Sequence, residues 1–204
     1  MGLRLVVWDA TGHGTAWIQP ALTASWRWGV KLYARRPSST RVDAAFGATS
    51  WQDALAWLCS VRPGEVIDEV QYWGHGLPGR VMVGRDVLVA ASLAPGAPLA
   101  DDLDAFVARL RGPDALVWFR TCGAFGGSAG HAFAAACAGR FGCRVGGHTF
   151  VIGPLQSGLH TVTPTSPPSW PVDEGQGPGG RLLTSSMQAP HTITCLHGAI
   201  PAGW

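Results

Sequence analysis

Lysine is almost missing from this chain: Lys31 is the only one among fifteen basic residues, and charged residues make up 14% of the sequence. With a formal net charge of +2 and no run of Lys or Arg, the chain has no basic field of the kind a polyanion needs, so nucleic acid is not an expected partner. Long apolar runs are missing too. No segment approaches the roughly 18 uncharged apolar residues of a membrane span, so no membrane is implied. The opening "MGLRLVVWDA" stops being apolar at Asp9, too early for a signal-peptide core and without a cleavage site, which makes the cytoplasm the expected location. Five cysteines at irregular spacing do not form a secreted disulfide framework and fit a reducing compartment.

Other absences bound the chemistry. No Gly-Lys-Ser/Thr occurs, and "GHGLPG" opens no helix, so there is no phosphate-cradling loop. No His-Glu-x-x-His occurs, and neither Cys195 with His197 nor Cys137, Cys143 and His148 reproduce the paired spacings of a zinc site. No metal and no cofactor follow from the residues. The ten tryptophans are scattered through the expected elements and are explained by core packing.

What is present is an alternation of strand and helix signals. The abundance of Ala, Gly, Pro and Arg beside a single lysine reflects a GC-rich coding sequence and points to a bacterial source. The segments "LRLVVW" (3–8), "EVIDEVQYW" (65–73), "ALVWFR" (115–120) and "CRVGGHTF" (143–150) read as strands, as does "VKLYARR" (30–36). "SSTRVDAAFGA" (38–48) reads as loop. "RVMVGRDVLV" (80–89) is a hairpin turning near Gly84. Residues 50–62, opened by Ser50 and Asp53, carry apolar side chains at helical spacing, as do 99–113 and 128–142. Such alternation predicts an α/β fold with a mostly parallel central sheet flanked by helices. At 204 residues this is one domain, with a body over 1–150. From 151 the pattern fails in a Pro- and Gly-rich region, "TPTSPPSWPVDEGQGPGG", before a last possible strand in 191–198. Residues 151–204 are therefore expected to wrap on the same domain as an irregular C-terminal region.

In an open parallel sheet, sites form where loops converge at the carboxyl ends of the strands. The side chains there are Asp9 and His13 after the first strand, His75 after the 65–73 strand, Cys122 after "ALVWFR" and His148 after the last one. A cysteine nucleophile needs a thiolate, which a neighbouring histidine or a helix N-terminus provides. Gly76 and Gly123 follow the histidine and the cysteine, and backbone N–H groups approach a substrate carbonyl closely only where no side chain intervenes.

A strand ending in "YWGHG", then a hairpin, an amphipathic helix and an apolar strand ending in "RTCGAFGG", with about 47 positions from His to Cys, resembles the caspase-like cysteine peptidases. The pattern is closest to bacterial caspase-like domains of unassigned role, and covers 1–150. The resemblance implies a three-layer fold and a cysteine endopeptidase. His75 would be general base and acid, Cys122 the nucleophile, and the N–H groups of Gly76 and Cys122 the oxyanion hole. Since "TCGAFGG" lacks the Gln-Ala before the cysteine and the Arg after it, caspase specificity for Asp is not implied. A carboxylate at Asp9 would favour Lys or Arg in the substrate, the alternative being a turn cap. His13 and His148 would be further substrate contacts. The partner is then a protein or peptide, or this chain itself at Arg35-Arg36, Arg80 or Arg181.

Two alternatives stand beside this reading. One is a caspase-like fold kept as a binding or scaffold module that cleaves nothing. The other is a serine esterase, because "GGSAG" (126–130) matches the Gly-x-Ser-x-Gly elbow, although the apolar run ends eight residues before Ser128. Ser128 is better placed as the cap of the following helix.

Overall fold

The computed structural model of the chain describes residues 2–12, 19–36 and 40–204. In chain order the elements are β1 (Leu3–Asp9), α1 (Gln19–Tyr33), β2 (Ala44–Ala48), α2 (Trp51–Ser60), β3 (Ile67–Trp73), β4 (His75–Leu77), β5 (Arg80–Val83), β6 (Asp86–Val89), α3 (Ala100–Val107), β7 (Leu116–Arg120), α4 (Gly127–Phe141), β8 (Arg144–His148), β9 (Leu155–Gln156), β10 (Leu159–Val162) and β11 (Ile193–Thr194). Six strands form the central sheet in the order β10-β8-β7-β3-β1-β2. Five run parallel, and β10 closes one edge antiparallel to β8. The fold is α/β with a mostly parallel sheet, as the alternating pattern predicts.

The pleat divides the side chains between two faces. Leu5, Val7, Val70, Tyr72, Val117, Phe119 and Val145 turn to one side and pack with α2, α3 and α4 in the main core. On the other side, Val6 and Trp73 meet Trp26, Val30 and Tyr33 of α1. Trp118 meets Leu159, Ile193 and Ile200 from the C-terminal region there. The sheet is thus sandwiched between α2, α3 and α4 on one face and α1 with the segments around Leu159, Ile193 and Ile200 on the other.

Local signals account for the ends of several elements. Ser50 Oγ accepts from Asp53 N at 3.0 Å, capping α2 and satisfying one of the free N–H groups of its first turn. Gly142 takes the left-handed conformation (φ 62°) that ends α4.

Four expectations are corrected. Residues 30–33, read as extended, are the last turn of α1, where Trp26, Val30 and Tyr33 recur at helical spacing against the sheet. Residues 44–48, read as loop, are edge strand β2. The 99–113 helix is shorter, Ala100–Val107. Ser128 does not cap α4: the cap position is Gly126, without a side-chain bond. The C-terminal region also holds β9 and β11, an antiparallel pair. It is fastened to the body by Trp170, stacked on Phe125 at 5.6 Å and donating its indole N–H to the Phe125 carbonyl at 3.2 Å.

Candidate active site

Strands β3 and β7 are neighbours, paired with Trp73 opposite Arg120, so the two segments that leave their carboxyl ends start side by side. Gly74 and His75 follow β3, and Thr121 and Cys122 follow β7. A cavity of about 580 Å³ opens over these ends, and His75 and Cys122 both line it. Its walls are Trp26, Leu32 and Tyr33 of α1, Trp73, Arg120, the 151–154 segment, Gln156, Cys195 and Leu196.

The His75 ring is half-buried and meets Trp26 edge-on at 5.5 Å. Burial lowers its pKa below the ordinary histidine value, and the Asp9 charge opposes the shift only in part. Cys122 is half-buried, its thiol donating to the Ile152 carbonyl at 3.8 Å. Burial pushes this thiol above its ordinary value. At rest the pair is therefore a neutral imidazole and a protonated thiol. Helix α4 begins only at Gly127, too far along the chain to act on Cys122 as a helix N-terminus acts on its own first turn.

The glycines after each residue have separate causes. A Cβ on Gly76 would lie 2.5 Å from Thr121 Oγ1 and 2.7 Å from the Cys122 carbonyl. Leu77 and Arg80 flank the Pro78-Gly79 turn, and Gly76 stands opposite Val81 in the β4–β5 ladder. The Cys122 N–H donates to no acceptor among the described residues. Gly123 sits at φ 58°, with its N–H given to the Phe150 carbonyl at 2.9 Å.

The residues expected to contact substrate are placed differently. Asp9 is fully buried and does not line the cavity. Its Oδ1 accepts from Thr11 N and Oγ1 at 2.9 and 2.6 Å, and Oδ2 from Gly84 N at 3.0 Å, so it is the turn cap of the alternative reading and also ties β1 to the β5–β6 turn. Asp9 therefore offers no carboxylate in the cavity to a Lys or Arg of a substrate. His148 is fully buried, its Nδ1 bonded to the Ser157 carbonyl at 3.2 Å, with burial and Arg120 pushing its pKa down to about 3. It is a neutral core histidine outside the cavity. His13 lies outside the described residues. Ser128 is exposed on the first turn of α4 and away from the cavity, so the serine-elbow geometry is not formed. Cys137 and Cys143 are core residues.

Sequence reasoning missed Trp26, Tyr33, Gln156, Cys195 and, most of all, Arg120. Only Arg120 carried a signal: a charged residue closing an otherwise apolar buried strand two positions before the cysteine. No group of metal-ligating side chains occurs among the described residues, and no helix is long and apolar enough to cross a membrane. No family model matches the chain, and no curated protein is significantly similar to it.

Proposed function

We propose that the chain is a cysteine endopeptidase of the caspase-like type, with Cys122 as nucleophile and His75 as general base and acid. The observation that carries the reading is that His75 and Cys122, following adjacent parallel strands, line one cavity large enough for a peptide side chain. The Cys122 N–H, which donates to no acceptor among the described residues, supports it.

The chemistry starts from the neutral pair. With a peptide carbonyl seated over Cys122, neutral His75 takes the thiol proton as sulfur attacks carbon, so no resting thiolate is needed. The tetrahedral oxyanion is met by the N–H groups of Gly76 and Cys122. Imidazolium then gives its proton to the leaving amine as the C–N bond breaks, leaving a thioester on Cys122. Water, deprotonated by His75, releases the acid product and restores the thiol.

The test is cleavage of a diverse peptide library followed by identification of new termini. Wild-type protein should produce defined cleavages, and Cys122→Ala and His75→Ala should produce none. Equal cleavage by all three proteins would reject the assignment. The buried, protonated thiol also fits a second reading, a scaffold that holds a peptide without cutting it; saturable peptide binding with no new termini from wild type would establish that reading instead.

A further inference from the structure

The cavity beside Cys122 contains a cation that is paired with no carboxylate among the described residues. Arg120, at the end of β7, is 5% exposed and lines the cavity wall. Its Nε and Nη2 donate to Gln156 Oε1 at 3.1 and 2.8 Å, and Nη1 to Tyr33 Oη at 2.8 Å and Gln71 Oε1 at 3.3 Å. The carbonyls of His197 and Cys195 take two more bonds at 3.2 Å each. Trp118, Tyr33 and Trp73 surround the group at 4.4 to 5.7 Å. Every partner is neutral. The carboxylate whose charge acts on it, Glu69, is paired with Arg4 at 2.7 Å. The hydrogen-bonding capacity of the guanidinium is therefore met while its charge is not, an expensive state for a buried ion.

The rest of the cavity sharpens the consequence. Among the described residues lining it, none is acidic, and apart from His75, which is neutral at rest, Arg120 is the one charged side chain. Aromatic and aliphatic walls from Trp26, Leu32, Trp73 and Leu196 keep the local dielectric low, so a single fixed charge dominates what enters. Gln156 uses one oxygen for two of the Arg120 bonds and faces the cavity itself, so an entering anion has an acceptor to exchange with.

We propose that this cavity takes a carboxylate of the substrate, with Arg120 as its counter-charge. The carboxylate is either an Asp or Glu side chain next to the bond cleaved or the terminal carboxylate of a short peptide. Placing it on a substrate rests on the cysteine-peptidase reading; the subsite itself rests on Arg120. A lysine or arginine side chain is repelled from the same place, opposite to the preference that Asp9 alone suggested.

Binding is read by tryptophan fluorescence of the Cys122→Ala protein, because Trp26 and Trp73 line the cavity. The probes are N-acetyl-aspartyl amide against N-acetyl-asparaginyl amide for a side-chain carboxylate, and N-acetylglycine against its amide for a terminal one. The acid of one pair should bind at least about tenfold more tightly than its amide, as one charge-assisted contact gives. Gln156→Glu neutralises Arg120 from within the protein and should remove that preference with the melting temperature held or raised, which makes the result independent of whether Arg120→Gln folds. Equal affinity of acid and amide in both pairs, absence of saturable binding by either acid, or a preference kept in Gln156→Glu overturns the proposal. Acid preference in a protein that cleaves no peptide would support the subsite and reject the peptidase reading. Equal turnover of acidic and neutral peptides would do the reverse.

Discussion

Gly76 has no room for a side chain because Thr121 stands against it: a Cβ at Gly76 would lie 2.5 Å from Thr121 Oγ1. The start of β4 and the end of β7 are thereby held at a spacing only glycine permits, one residue from His75 on one side and one from Cys122 on the other. Gly76→Ala should push these segments apart. The expected outcome is a loss of about 1–3 kcal/mol in chemical denaturation and a fall of about 10²-fold in peptide turnover. Unchanged turnover with native stability would show that the spacing is irrelevant to the site.

The pH profile follows from the two shifts at the dyad. His75 must be neutral to accept the thiol proton, and burial holds its pKa below 6.5, so kcat/KM should fall only as pH drops below that value. The Cys122 thiol titrates above 9.0, so reaction with iodoacetamide, which brings no peptide to bind, should still be climbing past pH 9. Exposed Cys195 should react faster at neutral pH. Peptide mapping of the alkylated protein across pH checks both statements.

Asp9 acts on His75 from a distance, its charge raising the imidazole pKa against the effect of burial. Asp9→Asn removes that charge and one of the two acceptors facing Thr11 and Gly84. The His75 pKa measured by NMR should fall further, carrying the acid limb of activity with it, at a stability cost of about 1–3 kcal/mol.

The C-terminal region has its own titratable fastening. Glu174 is partly buried, which alone would raise its pKa, but bonds from His160 at 2.6 Å and Thr149 at 2.7 Å hold it below the usual value. A depressed carboxylate contributes stability above its unfolded pKa of about 4.5 and loses it as pH falls through the lower folded value. Glu174→Gln should therefore destabilise the protein at neutral pH, and the difference in melting temperature from wild type should shrink in acid.

Much of this architecture is legible in the sequence because buried parallel strands announce themselves. β1 and β7 are apolar but for Arg4 and the charged residues that close them, Asp9 and Arg120, and α2 carries both its cap and its spacing. The failures have physical reasons. "VKLYARR" alternates well enough to imitate a strand, and only the packing of Trp26, Val30 and Tyr33 on the sheet makes it helical. At Gly29 a Cβ would lie 2.8 Å from the Trp73 ring, so a residue that weakens a helix is what lets α1 close on the cavity. β2, "AAFGA", has no β-branched residue, and its Gly47 is required by the Trp8 ring, 2.7 Å from where a Cβ would be. The proposed pairing of His75 with Cys122 is legible because chemistry-bearing residues at strand ends are few. The surroundings of Arg120 are not, because its partners Tyr33, Gln156, Cys195 and His197 come from segments far apart in the chain.

The central claim is tested most directly by mass spectrometry after brief treatment with a peptide acyloxymethyl ketone, in wild type, His75→Ala, Cys122→Ala and Cys195→Ala. Cys195 lines the same cavity and is the internal control. A single adduct on Cys122 is expected, unaffected by Cys195→Ala, and slowed by about 10²-fold or more in His75→Ala. An adduct on Cys195 instead, or labelling of Cys122 at the same rate without His75, would contradict it.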